Sequence, residues 1–161
     1  MTTKTITNEF SEDEEIEIPS WQAYWLEYAP YFALIVSLVA TTGSLYFSEI
    51  RYFEPCRLCW FQRIFMYPLA IMMLVGVVKQ DEGISDYVLP IATIGWFIAI
   101  YHIGMQFGFI ALSTACTGVS CGVTYINWLG FITIPVLSFT AFTLILISLG
   151  TYRYILSTIE D

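Results

Sequence analysis

YVLPIATIGWFIAIYHIGMQFGFIALSTACTGVSCGVTYINWLGFITIPVLSFTAFTLILISLGTY, residues 87–152, is a run of 66 residues without one Asp, Glu, Lys or Arg. A helix crossing a bilayer needs roughly 20 residues, so the run predicts two spans. Its polar middle, STACTGVSCGVTY at 113–125, is the loop between them. Working toward the N-terminus, the polar turn KQDEGISD at 79–86 precedes the run. Before it lies another apolar stretch, 59–78, charged only at Arg63. A further uncharged span covers 28–48, with Pro30 in its first turn, where a missing N–H costs little, and Glu49 at its end. The fold class that follows is an all-α integral membrane protein, a four-transmembrane-helix bundle with both termini on one side.

Composition supports the same solvent. Of 161 residues 57% are hydrophobic and 12% are charged, against roughly 25% charged in an ordinary soluble domain; the mean hydropathy is +0.68. Six basic against fourteen acidic side chains give a net charge of -8. No basic surface is left for a phosphate backbone, so nucleic acid is excluded as a partner. The organisation expected is an acidic N-terminal tail over 1–27, a membrane domain over 28–152 and a short C-terminal tail over 153–161. The tail's run of Glu and Asp reads as solvated chain rather than a cleavable signal, since no apolar core precedes the first span. Trp21, Tyr24, Trp25 and Tyr28 form an interfacial aromatic belt leading into the membrane.

Four cysteines fall in two pairs, Cys56 and Cys59 before the second span, Cys116 and Cys121 before the fourth. Both pairs therefore share one side. Lys79 and Arg153 on the other side are balanced by Arg51 and Arg57, so positive charge does not orient the chain. Thiols do: cytosolic reductants keep exposed pairs reduced, so the cysteine loops are expected outside the cytoplasm and the termini within it. In EPCRLCWFQR, 54–63, Pro55 suits a first helical turn and places Cys56 near a helix N-terminus, where the dipole and Arg57 favour the thiolate. Gln62 and Arg63 stand three and four residues after Cys59 and are expected to flank its sulfur. A CxxC is not specific by itself. Haem is excluded because no His follows, but a four-Cys zinc site and two structural disulfides remain open, as does a snorkelling Arg63.

At PCRLCWFQR the chain resembles the disulfide bond formation protein B (DsbB) family, thiol oxidases of bacterial membranes. GSLYFSEI at 43–50, CRLCWFQRIFMYPL at 56–69 and YINWLGFITIP at 125–135 extend the likeness toward its BdbC-type branch. The resemblance covers about 28–152. The vitamin K epoxide reductase family also wraps four helices round a CxxC, but there the CxxC follows the loop cysteines, the reverse of the order here.

The resemblance implies a quinone-dependent protein dithiol oxidase with a membrane quinone, menaquinone or ubiquinone, as electron acceptor. The implied partner is an extracytoplasmic thioredoxin-like thiol oxidase, DsbA- or BdbD-like, which in turn forms disulfides in exported proteins. By position, Cys116 forms the mixed disulfide with that partner, Cys121 completes the exchange, Cys56 accepts from the loop pair and Cys59 meets the quinone. Arg63 is implied to stabilise that contact, with Gln62 beside it. His102, the one histidine, is placed near the quinone, with Gln106 one turn further on. Only four residues separate Cys116 from Cys121, which favours direct sequential exchange over a long-lived interloop disulfide. Gly104 and Gly108 read as a close-packing pair, and Pro68 and Pro135 as kinks. The alternative function is a non-catalytic membrane scaffold tied by structural disulfides or zinc.

Overall fold

The computed structural model describes residues 19–109 and 133–160. Among these, four helices are long and apolar enough to cross a membrane. Helix α1 covers Ser20–Leu45 and continues as a wide π-type segment over Tyr46–Ile50; α2 covers Arg57–Lys79, α3 Ile84–Gln106 and α4 Ile134–Glu160. Each helix packs against its neighbour in the chain, and α4 closes the ring on α1.

Small residues set the spacing of that ring. Ala23, Ala29, Ala33 and Ser37 are the buried positions of α1, the last three at four-residue intervals on one face, so its backbone approaches its neighbours closely, as membrane helices do when side chains are short. The approach between α3 and α4 is close. A Cβ added at Gly95 would lie 2.4 Å from Cε1 and Cζ of Phe142, a ring that is itself fully buried. Side-chain hydrogen bonds also cross between α1 and α4 and between α3 and α4. Ser148 Oγ donates to the Ala29 carbonyl at 3.0 Å, and Trp96 Nε1 donates to Thr143 Oγ1 at 2.9 Å. The outward faces carry Phe32, Ile35, Val39, Ile64, Ile71, Phe97 and Ile147 in the open, an arrangement stable only where the solvent is hydrocarbon.

The helix ends explain where the expected boundaries moved. α1 begins at Ser20 rather than 28, because the aromatic belt is itself helical; Pro30 consequently stands inside the helix and not in its first turn. α4 runs to Glu160, through most of the expected C-terminal tail. Asp86, at the start of α3, pairs with Arg153 on α4, an exposed ion pair of small energetic weight. Pro135 is the second residue of α4, a first-turn position that needs no kink, whereas Pro68 is interior to α2. Gly108 lies beyond the end of α3 with φ +76. There the Phe109 N–H returns to the Gly104 carbonyl and the Gly108 N–H to Met105, so Gly108 closes a Schellman cap instead of lining a packing stripe with Gly104. Gln80, with φ 52, caps α2 in the same way.

The close contact of α3 and α4 yields a first test. Gly95→Ala is expected to destabilise the bundle by about 1–3 kcal/mol, because the buried Phe142 ring has no room to yield. Gly150→Ala, where nothing lies within 4 Å of the added Cβ, is expected to be neutral or mildly stabilising. Thermal unfolding of the two variants in the same detergent checks the difference.

Candidate functional site

The segment between α1 and α2 delivers the first cysteine pair. After the π-type segment the chain reverses at Tyr52, held in the left-handed region at φ 53, and Pro55 leads into Cys56. Cys56 is the N-cap of α2, in extended backbone, so Pro55 precedes the helix instead of opening its first turn. The cap is a sulfur: Cys56 Sγ accepts from the Cys59 N–H at 3.4 Å. One turn on, Cys59 Sγ lies 3.0 Å from Cys56 Sγ, and both side chains are thiols.

His102, in the last turn and a half of α3, completes this end of the bundle. Its Nε2 lies 3.6 Å from Cys56 Sγ, and its Nδ1 lies 3.3 Å from Gln62 Nε2. With Gln62 donating to Nδ1, the neutral ring carries its proton on Nε2 and donates it to the Cys56 sulfur. Turning the Gln62 amide over presents an oxygen to an Nδ1–H and suits an imidazolium. His102 and Gln62 are both buried, so the chain Gln62–His102–Cys56 is shielded from water at every member. The Cys56 thiol is held well below the usual thiol range. The hydrogen bond from Cys59 is the largest cause; burial opposes it, and the His102 hydrogen bond, the Cys59 N–H and the His102 charge add to the lowering. The surroundings of the pair thus favour negative charge on Cys56, at the N-cap of α2.

Arg63 turns toward α1 rather than outward, and among the described residues no acid pairs with it. Its Nη2 donates to the Ser44 carbonyl at 2.9 Å, and its guanidinium sits over the Trp60 ring at 5.6 Å, within cation–π reach. Ser44 lies two residues before the π-type segment, where a change of helical register leaves carbonyls needing other donors. Tyr67 Oη also reaches Ser44, at Oγ, 3.4 Å away. The charge is therefore fixed between α1 and α2.

These groups border one cavity of about 460 Å³, in the size range of small-molecule sites, with a mostly apolar wall from α1, α2 and α4. Its polar border brings together Cys56, Cys59, Gln62, Arg63, His102 and Gln106. Five of these are expected site residues. Cys116 and Cys121 lie outside the described residues, as does any four-Cys arrangement that needs them. Two contributors are not foreseen from the sequence. Ser44 acts through its carbonyl, which no side-chain pattern reveals, and Thr133 donates to Gln106 Oε1 at 2.8 Å, fixing that amide across the start of α4.

The family model for Disulfide bond formation protein DsbB matches residues 27–151. The chain belongs to the DsbB family. Among curated relatives, "Probable disulfide formation protein C 1" of Bacillus cereus is 52% identical over 118 residues, 72% of this chain and 85% of the relative. "Disulfide bond formation protein C" of Bacillus subtilis is 50% identical over 119 residues, 73% of this chain and 86% of the relative. "Probable disulfide formation protein" of Deinococcus radiodurans is 46% identical over 133 residues, 76% and 87% of the two chains. No solved structure matches the chain. DsbB-family membership makes this a multi-pass membrane protein of disulfide bond formation.

The charge distribution in the pair sets a second test. Because the folded-state pKa of Cys56 is lowered, its thiolate persists through neutral pH and is lost only as pH falls through that lowered value. In a Cys116→Ser/Cys121→Ser background, ultraviolet thiolate absorbance of the reduced protein is expected to show a midpoint below pH 7. Cys59→Ala is expected to raise the midpoint more than His102→Ala, in the order of their contributions.

Proposed function

We propose that this DsbB-family chain is a quinone-dependent protein dithiol oxidase. One observation carries the reading: a mostly apolar cavity ends on a CxxC pair, a fixed guanidinium, a buried imidazole and two amides. A quinone combines a flat apolar body with two carbonyl acceptors, and this wall and donor set fit that chemistry. When bound, a quinone supplies an acceptor for two electrons and two protons.

The remaining chemistry belongs to the chain. A reduced thioredoxin-like partner outside the cytoplasm attacks the Cys116–Cys121 disulfide at Cys116; its second thiol then closes the partner's disulfide and leaves Cys116 and Cys121 as a dithiol. The same exchange against a Cys56–Cys59 disulfide, entering at Cys56, moves the pair of electrons inward. Each exchange makes one S–S bond and breaks one, with a thiolate as nucleophile. His102 and the Cys59 thiol stabilise negative charge on Cys56 as it leaves. Cys59, one turn deeper than Cys56 and less completely buried, is the sulfur that faces the acceptor, and Arg63 holds positive charge beside the cavity. Re-forming the Cys56–Cys59 bond releases two electrons and whatever protons the two sulfurs still carry, and the rest of the two protons that the acceptor takes up come from solvent. Cysteine loops outside the cytoplasm and termini within it complete the reading.

Turnover of purified protein in nanodiscs, with a reduced thioredoxin-like oxidase as electron donor and a soluble quinone as acceptor, tests it. Cys59→Ser is expected to abolish turnover while the helical circular dichroism and melting temperature are kept. Arg63→Ala is expected to raise the apparent KM for quinone at least tenfold, with the KM for the donor unchanged. A Cys59→Ser variant with normal turnover, or wild-type protein that reduces no quinone, overturns the proposal.

A further inference from the structure

The three soft donors at the end of the cavity are arranged for a second kind of ligand. Cys56 Sγ, Cys59 Sγ and a ring nitrogen of His102 all lie within 4.8 Å of one another. A tetrahedral zinc ion with Zn–S of about 2.3 Å and Zn–N of about 2.0–2.1 Å holds sulfur and nitrogen about 3.5 Å apart and two sulfurs about 3.8 Å apart. Cys56 Sγ and His102 Nε2 already stand at 3.6 Å. The two sulfurs, at 3.0 Å, have to part, and Cys59 Sγ, within 4.8 Å of the ring nitrogen, has to settle about 3.5 Å from it; Cys59 borders the cavity, which leaves room for such a χ rotation.

We propose that the reduced Cys56–Cys59 pair and His102 form a redox-gated binding site for zinc or a similar soft divalent cation. The outer shell suits it as well as the ligands do. A histidine that ligates through Nε2 needs an acceptor for its Nδ1–H, and Gln62 stands 3.3 Å from Nδ1, able to present its oxygen by an amide flip. The fourth position opens on the cavity, which leaves it to water. Two thiolates balance the charge of a divalent ion, so ion and ligands are neutral together, and the Arg63 guanidinium is engaged by the Ser44 carbonyl. Loading changes no oxidation state: the zinc displaces whatever protons the two sulfurs carry, and those protons pass to solvent.

The gate is the S–S bond. In the disulfide the sulfurs are about 2.05 Å apart and neither is a thiolate, so the oxidised chain loses two of the three ligands. Metal capture is therefore confined to reduced protein. On the reading of the previous subsection, which this consequence rests on, zinc captures the chain when its electron acceptor runs short and the dithiol accumulates, and it blocks reoxidation until the metal leaves.

Zinc binding to the full-length Cys116→Ser/Cys121→Ser chain in detergent tests the site without any acceptor, by competition against a chromophoric chelator. The reduced chain is expected to bind one zinc ion, and the oxidised chain none. Gln62→Leu is expected to weaken binding by about 10-fold or more, and His102→Ala likewise by at least tenfold; His102→Gln replaces the latter if the melting temperature shows that the alanine variant is unfolded. No zinc on the reduced chain, equal binding to both redox forms, or unchanged affinity without His102 overturns the inference. Zinc binding together with absent quinone turnover overturns the oxidase reading and leaves the metal site standing.

Discussion

The contact of Cys56 Sγ with the His102 ring joins the start of α2 to the end of α3, and the arrangement of the whole functional end depends on it. A sulfur at a helix N-cap with a buried imidazole against it requires those two helix ends at one level of the bundle. The short connections meet that requirement, since α2 and α3 are joined by only four residues, Gln80 to Gly83, and run antiparallel for their whole length. Once His102 is at this level, Gln62 finds its other nitrogen and Gln106 comes level with Thr133. Gln62, His102, Gln106 and Thr133 are thereby gathered at one end, where they serve one another.

Electrostatics at this end are divided between the two cysteines. Cys56 has the N-cap position, the imidazole and the second sulfur all favouring its charge, while Cys59 lies one turn deeper, on the cavity. Arg63 is committed to the Ser44 carbonyl and the Trp60 ring. Its positive charge is consequently a fixed feature of the cavity wall and not a mobile side chain at the membrane surface. A preset charge needs no rearrangement when an electron-accepting group or a thiolate arrives, the condition under which electrostatic stabilisation is most effective.

Much of this was legible in the residues. The uncharged run at 87–152 and the Arg63-bearing stretch at 59–78 located the spans, because an uncharged length of chain is a direct measure of how often it crosses hydrocarbon. The spacing CRLCWFQR placed Cys59, Gln62 and Arg63 within one turn, since three- and four-residue intervals share a helix face. Partner choice was not legible. Gln62 turns to His102, forty positions away in the chain, and Arg63 to a backbone carbonyl of α1; such pairings depend on helix rotation and on a register change after Leu45 that no side-chain pattern announces. The boundary at Tyr28 missed because interfacial aromatics sit equally well on a helix, and Gly108 missed because a glycine spacing does not distinguish a helix face from a helix cap.

The central claim, that electrons leave this chain through quinone by way of its cysteines, is tested most directly by an acid-quenched thiol count in living cells. A maleimide mass tag reads the four cysteines on a gel, with the quinone pool intact and then depleted. The account predicts oxidised cysteines that become reduced when quinone is removed. A thiol state indifferent to quinone, whether four locked half-cystines or four free thiols, would contradict it.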